Sequence, residues 1–491
     1  MSKSIQSILE QNGPMLSGEL AKIYEIENSS NNDCARKAIS RARTPVQKNK
    51  LIPFNKNQVF VYLEKQYMGR EYWDCLNLSI NEQSMLANVI LKALISQGGI
   101  MSKNTLAAYS LSPIKNLKGH KRFDVLIEKL KESKIIEDYG DEYYKLTESY
   151  FSQDINFHYP RMKGIEIARN VILADFNDLL RKINMISYNK GKVYADFAQF
   201  RWCFTAPSYS QGIATWQPKR NKVAPGFIIA DVILLKNATI NDLQYFVEKI
   251  NIIKRYKNIN NFIPFIILYD LNPEALKYLK SNNIVIGFID RLFGDGYKDL
   301  LNDLIYVVSN ATKMVQKNPE KIDKIFDKLV NIDGRYNNVV GDLFELLVAD
   351  YYRTVGVRCL EINKQIAASD TISGKPKEID VLVDRDGTII VAECKATLPM
   401  IDEDFIDIWL KVKVRDIFHY LSGEYSNRNF TFQIWSTGGF TKEAEAKLEK
   451  AKNETRKYTI DYLNKEDMLV LAKKSKAQNF IKHVEKHFGK S

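Results

Sequence analysis

The sequence predicts a multidomain α/β protein, and three observations carry that expectation. At 491 residues the chain exceeds what one hydrophobic core sustains, since domains usually run ~100–200 residues. In the second half, apolar strand-like runs such as "FIPFIILYD" and "TIIVAECKA" alternate with amphipathic helical stretches, the pattern of sheets joined by helices. In the front third, "QNGPMLSGELA" (11–21) and "QGGIMSKNTLA" (97–107) match at an offset of 86 residues, which signals a repeated unit. These features divide the chain into 1–70, 78–150, 161–310, a helical linker 311–334, and 335–491.

Composition narrows the class. The hydrophobic fraction of 45% is that of a folded, soluble protein. "MSKSIQSILEQNGP" lacks the apolar core of a signal peptide, and the longest apolar runs fall short of the ~18 residues of a membrane span. The cysteines (34, 75, 203, 359, 394) are odd in number and form no CxxC pair, which points to reduced thiols and a cytoplasmic location rather than zinc or disulfides. The net charge of +12 is uneven: 1–160 carries 21 basic against 18 acidic residues, 161–329 carries 25 against 16, and 330–491 carries 25 of each. A basic excess in the middle suits a polyanionic partner.

Each front repeat reads as an amphipathic helix ("SIQSILE", "NVILKALI"), the matched segment with a second helix, and a third helix ("DCARKAISRAR", "KRFDVLIEKLKES"). A pair of short strands closes each one. Three helices followed by a β-hairpin resemble a winged helix, here in tandem. In that fold the third helix usually enters the DNA major groove. The resemblance makes Arg36, Lys37, Arg41 and Arg43 candidate DNA contacts in the first unit, and Lys118, Lys121 and Arg122, opening the third helix, in the second.

Residues 161–310 open with a helix ("GIEIARNVILADFNDLLRKI"). Strands around "KVYADF" and "GFIIADVILLK" follow, then helix, strand, helix and strand. The last third repeats this order after its hairpin, which suggests an old duplication. Asp231 and Ile233 then stand where Glu393 and Lys395 stand, so the middle copy would be a basic, nuclease-like domain without the charges for chemistry. "RWCFTAPSYSQGIATWQPKRNK" (201–222) reads as an exposed loop. Within it Trp216, Lys219, Arg220 and Lys222 are candidate nucleic-acid contacts, because aromatics stack on bases while cations meet phosphates.

In "EIDVLVDRDGTIIVAECKA" (378–396), two apolar strands flank Asp386-Gly387, a good two-residue turn because both central positions need positive φ. A turn centred there sets Asp380 opposite Glu393, with Lys395 on the same face as Glu393. Facing carboxylates repel, so a cation between them is expected. Upstream, Glu345 interrupts the apolar face of the helix "NNVVGDLFELLVADYYRTVGV". A carboxylate there is costly unless paired or coordinating a cation. Oxygen ligands without His or Cys favour Mg2+, with Mn2+ able to substitute.

A helix Glu, a strand Asp and a Glu-x-Lys on the next strand together resemble the PD-(D/E)xK, restriction-endonuclease-like nuclease superfamily over about residues 335–465. "TFQIWSTGGFTKEAEAKLEKA" is similar to its Mrr-like branch, from which Glu393 departs, since Gln is common there. The resemblance implies that Asp380 and Glu393 bind the metal together with the Cys394 carbonyl, and that Glu345 holds a water ligand or a second metal. It also implies that Lys395 orients or deprotonates the attacking water. Lys411, Lys413 and Arg415 on the following helix are candidate phosphate contacts.

The resulting expectation is an Mg2+-dependent DNA endonuclease for restriction or phage defence. It would bind double-stranded DNA through its front and middle domains, act as a homodimer at least during cleavage, and answer to a possible activating partner. The alternatives are a structure-specific, transposition-linked or RNA-directed nuclease, or a winged-helix regulator with an inactive nuclease fold.

Overall fold

Helices and sheets alternate along the whole chain, making a multidomain mixed α/β protein. The computed structural model describes residues 3–151, 155–187, 190–218, 221–256, 259–330, 337–396 and 399–488. The chain divides into two compact units. One comprises Met1–Asp138, Glu142–Ile155 and Met185–Ile286, and the other Tyr139–Asp141, Asn156–Asn184 and Gly287–Ser491.

The first unit opens with α1 (Ile5–Asn12), β1 (Met15–Leu16), α2 (Ser17–Asn28), α3 (Asn32–Arg41), β2 (Val46–Asn49) and β3 (Phe60–Leu63), with sheet order β1-β3-β2. After α4 (Arg70–Gln83), the series recurs as α5 (Met85–Ser96), β4 (Ile100–Ser102), α6 (Lys103–Ala108), α7 (Phe123–Glu132), β5 (Ile136–Tyr139) and β6 (Tyr143–Leu146), with order β4-β6-β5. The offset of 86 carries into the structure: α2 begins at Ser17 and α6 at Lys103. Local chemistry fixes the starts, since Ser4 caps α1 by accepting from the Ser7 amide and Asn31 caps α3 by accepting from the Cys34 amide. α3 turns Ala35 and Ile39, one turn apart, into a core with Ile8, Leu20 and Val61.

α8 (Ile155–Lys182) follows β6, and from Asn156 onward it belongs to the second unit. The chain then forms β7 (Lys192–Phe197), β8 (Phe200–Ser208), β9 (Thr215–Gln217), β10 (Lys222–Ala224), β11 (Gly226–Ile233), α9 (Ile240–Lys254), β12 (Phe262–Leu268), α10 (Pro273–Ser281) and β13 (Val285–Phe288). Their main sheet has the order β7-β8-β11-β12-β13. Here the sequence reading needs correction. The first part of the expected exposed loop is the interior strand β8, with Trp202, Cys203 and Phe204 buried. Aromatic content alone does not separate a stacking surface from a core strand.

The second unit continues through α11 (Ile289–Phe293), α12 (Tyr297–Ser309), α13 (Ala311–Lys317), α14 (Pro319–Val330) and α15 (Asn337–Val355). Next come β14 (Cys359–Ile366), β15 (Lys377–Arg385), β16 (Thr388–Lys395), α16 (Glu403–Ile408), a π-helical turn at Trp409–Lys413, and α17 (Val414–Glu424). β17 (Asn429–Ser436), α18 (Lys442–Glu454), β18 (Thr459–Leu463), α19 (Lys465–Lys474) and α20 (Gln478–His487) complete it. Of the stretch read as one domain, 161–310, residues 161–184 and 287–310 fall in the unit that holds the C-terminal sheet.

That sheet has the order β14-β15-β16-β17-β18, the same arrangement as β7-β8-β11-β12-β13. In both, the first two pairings are antiparallel and the third is parallel. Among the described residues, no helix is long and apolar enough to cross a membrane.

Candidate active site

Asp386 (φ +49°) and Gly387 (φ +79°) form the tight turn between β15 and β16. From it the register runs Arg385↔Thr388 through Val381↔Ala392, so the next pair is Asp380 and Glu393. Both strands are covered on both faces, and Asp380 and Glu393 are 6% and 5% exposed. The Cys394 amide donates to Asp380 Oδ2 at 2.8 Å, fixing one carboxylate on the adjoining strand.

Cations from two elements converge on this pair. Lys395 Nζ lies 2.8 Å from Glu393 Oε1. Lys413, at the end of the π turn, reaches 2.5 Å from Glu393 Oε2 and 3.7 Å from Asp380 Oδ1. The π turn sets Trp409 and Val414, five residues apart, into the core, with Lys413 at its margin. Burial works to raise the Glu393 carboxyl, but the Lys395 and Lys413 ammonium groups outweigh it and hold Glu393 at about 2. Asp380 is pushed up instead, first by burial and then by the Glu393 charge. Burial works to depress Lys395, yet Glu393 and then Asp380 raise it above the ordinary lysine value.

Beside this pair lies a second cluster. Glu345 on α15 accepts from Lys163 Nζ of α8 at 2.8 Å. The same ammonium meets Asn363 Oδ1 at 2.8 Å and Glu378 Oε1 at 3.3 Å, while Tyr159 Oη donates to Glu378 Oε2 at 2.8 Å. Burial works to raise the Glu378 carboxyl, but Lys163 and Tyr159 bring it below its usual value. Asn363 adopts φ +60° within β14 at the position that faces Asp380, a conformation Asn tolerates better than most residues.

The structure thus brings Asp380, Glu393 and Lys395 together. Glu345 stands near enough to act electrostatically on Lys395 and Cys394, but its carboxylate is engaged by Lys163 rather than aimed with the other two. The sequence reading gave Lys413 only a phosphate-contact role and missed Lys163, Tyr159, Asn363 and Glu378. Glu378 alone had a legible signal, lying two residues before Asp380 on the same strand face. Lys163 is 182 positions from Glu345, and no local pattern connects them.

Among the described residues, no group of three or more Asp, Glu, His or Cys side chains is placed to hold a metal. Mg2+ commonly takes only one or two carboxylates and completes its shell with water. Two opposed carboxylates with Lys413 Nζ between them already accommodate one positive charge, so the donor set fits a hard cation held by Asp380 and Glu393.

The other candidate residues are dispersed. Arg36, Lys37 and Arg41 lie on the outer face of α3 and Arg43 just beyond it, all exposed. Lys118 and Lys121 precede α7 in a loop, because that helix starts at Phe123. Arg122 is its N-cap residue and pairs with Asp124 at 2.9 Å, so these three do not form a helical face as expected. Trp216 and Lys222 are exposed on the β9–β10 hairpin. Lys219 and Arg220 lie outside the described residues. Lys411 pairs with Asp407 at 3.1 Å, and Arg415 is exposed.

No protein-family model matches the chain, and no curated protein does. Among solved structures, the crystal structure of protein VC1899 from Vibrio cholerae aligns at 10% identity, covering 51% of this chain and 56% of that one, with a TM-score of 0.16. The alignment thus spans about half of that protein, and so low a score supports no common fold.

In the first unit, the counterpart position is chemically different. Asp231 on β11 is fully buried, accepts from the Cys203 amide at 2.8 Å and lies 3.6 Å from Lys249 Nζ of α9. Lys249 also donates to the Ala108 and Arg201 carbonyls and sits over the Trp202 ring. Ile233 follows where the C-terminal sheet has Lys395.

Proposed function

We propose that the protein is a metal-dependent DNA endonuclease whose reaction centre is the Asp380–Glu393–Lys395 cluster. The observation that carries this reading is the opposition of two buried carboxylates at the end of an antiparallel pair, with a lysine two residues beyond the second. That combination resembles the PD-(D/E)xK arrangement. Asp380 and Glu393 would hold Mg2+, and a bound metal lowers the pKa of water and offsets charge developing on phosphorus.

The chain's own groups divide the remaining work. Lys395 Nζ orients the attacking water and faces the oxygens that gain charge. Its position beside Glu393 keeps it protonated, which favours charge stabilisation over proton abstraction. Lys413 holds Glu393 and Asp380 in place until a cation takes that role. Lys163 fixes Glu345 and Glu378 around the centre.

The front repeats support a DNA substrate. In each, the first short strand pairs with the last, after three helices, as in a winged helix. α3 presents four exposed cations on or beside its outer face. With one centre per chain, cutting both strands calls for a homodimer at least transiently.

The test is cleavage of supercoiled plasmid, linear DNA and RNA by the full chain with Mg2+, with EDTA, and as Lys395→Ala. The expected result is Mg2+-dependent DNA cutting that falls ~100-fold or more in the variant while binding persists. Retained cutting in Lys395→Ala, or binding without cutting of any substrate, would overturn the reading, the second outcome favouring a regulator with an inactive nuclease fold.

A further inference from the structure

At the carboxyl end of β11, a cavity of about 280 Å3 opens within the first unit, lined by Asn55, the end of α4, α5, the end of α6, the end of β11 and the start of α9. β11 is the strand at which the sheet changes from antiparallel neighbours to a parallel one. Ile233, the counterpart of Lys395, forms part of the wall.

The lining is unusually rich in amides. Gln97 is 7% exposed, yet its side chain has no hydrogen-bond partner among the described residues. Asn241 and Gln244 likewise add unengaged amides. Tyr109 and Tyr245 stack with centroids 4.8 Å apart. Their hydroxyls are bound beneath the wall, to the Val232 carbonyl and to Asp231 Oδ2, which leaves ring carbon for a ligand. Charge argues against a phosphate. Asp242 already occupies the start of α9, accepting from the Thr239 amide at 2.8 Å and the Thr239 hydroxyl at 2.7 Å, and the remaining lining charges are Lys92 and Glu82.

We propose that this cavity binds an uncharged nucleobase or nucleoside. Side-chain amides carry the donor and acceptor pairs that match base edges, flat aromatic carbon suits a heterocycle, and the volume lies just under the ~300 Å3 at which drug-sized sites begin. The proposal stands apart from the cleavage reading, and its test does not require activity.

Calorimetric titration of the full chain with adenosine, guanosine, cytidine and uridine, one at a time, decides it. At least one should bind saturably, with Kd below about 1 mM. Gln97→Leu, which removes the amide at similar volume, and Ala93→Phe, which fills the cavity, should each weaken binding ~10-fold or more. Asn241→Ala, at an exposed position, serves the same purpose should a buried change lower stability. Displacement of the nucleoside by a short single-stranded oligonucleotide would identify a base within a polynucleotide as the occupant, and lack of displacement the free nucleoside; both support the site. No binding by any nucleoside, or binding unchanged in all three variants, would overturn it.

Discussion

Lys413 Nζ stands between Glu393 Oε2, at 2.5 Å, and Asp380 Oδ1, at 3.7 Å. An ammonium thus bridges the two carboxylates that the hairpin register sets face to face, where the proposed metal would also bind. On the proposed reading, lysine and metal are alternatives for one position, which makes the occupancy of that position measurable.

Removing the bridging ammonium leaves two buried carboxylates to repel each other. Lys413→Met should therefore melt at a lower temperature than the unaltered protein without metal, by an amount corresponding to about 2–3 kcal/mol. Added Mg2+ or Mn2+ should raise its melting temperature more than it raises that of the unaltered protein. Thermal denaturation with and without metal checks this, and equal metal-induced shifts would count against the shared position.

Asp380 is pushed above its ordinary value, so its charged form is disfavoured in the metal-free fold. A metal needs that charged form. Lowering the pH through the carboxylate range protonates the ligand, so affinity must rise with pH. Metal titration by calorimetry should give tighter binding at about pH 8 than at about pH 5, with proton release at the lower value. Asp380→Asn should abolish that pH dependence along with most of the affinity.

Lys163 neutralises Glu345 and Glu378 at a site where its side chain is 8% exposed. Lys163→Met removes the ammonium that neutralises both carboxylates, leaving Glu378 its Tyr159 hydrogen bond, and should cost about 3–5 kcal/mol in denaturant unfolding. Adding Glu378→Gln to that variant should recover part of the loss, because one stranded charge is gone. A cost below about 1 kcal/mol would show that water reaches the cluster.

The first unit's five-stranded sheet offers a contrast. Asp231→Asn leaves the Lys249 ammonium buried with only carbonyl partners, and should lower stability by about 3 kcal/mol. DNA cleavage, where it is measured, should keep its rate at temperatures below the melt, because this pair is sealed within the first unit.

Exposed cations on α3 make a separate prediction. Arg36→Ala combined with Lys37→Ala should weaken DNA binding ~10-fold or more near physiological salt. It should also reduce the slope of log affinity against log salt by about 2. Filter binding across a salt series measures both.

The sequence made the hairpin and the repeats legible because their determinants are local. Asp386-Gly387 specifies its own turn, alternation then assigns faces to Asp380, Glu393 and Lys395, and the 86-residue offset shows itself by comparison within the chain. The strand β8 was misread because a fully buried strand has no polar alternation, so "RWCFTAPS" carries the same composition as an aromatic surface loop. Lys163's place at the cluster and Lys413's place between the carboxylates are not legible, for different reasons. One meets its partners only through the packing of α8 on a distant sheet. The other owes its position to a π turn that apolar spacing at 3.6 residues does not reveal.

The tight turn at Asp386-Gly387 acts at a distance. It lies about 20 Å along the strands from the carboxylates whose alignment it dictates, and it touches neither. One extra residue there would slide β16 against β15 by a notch and send Glu393 and Lys395 to the opposite face together, without altering any charged side chain. The most fragile point of the proposed reaction centre is therefore a glycine far outside it, where an insertion that leaves composition and core volume nearly intact would break up the Asp380–Glu393–Lys395 cluster.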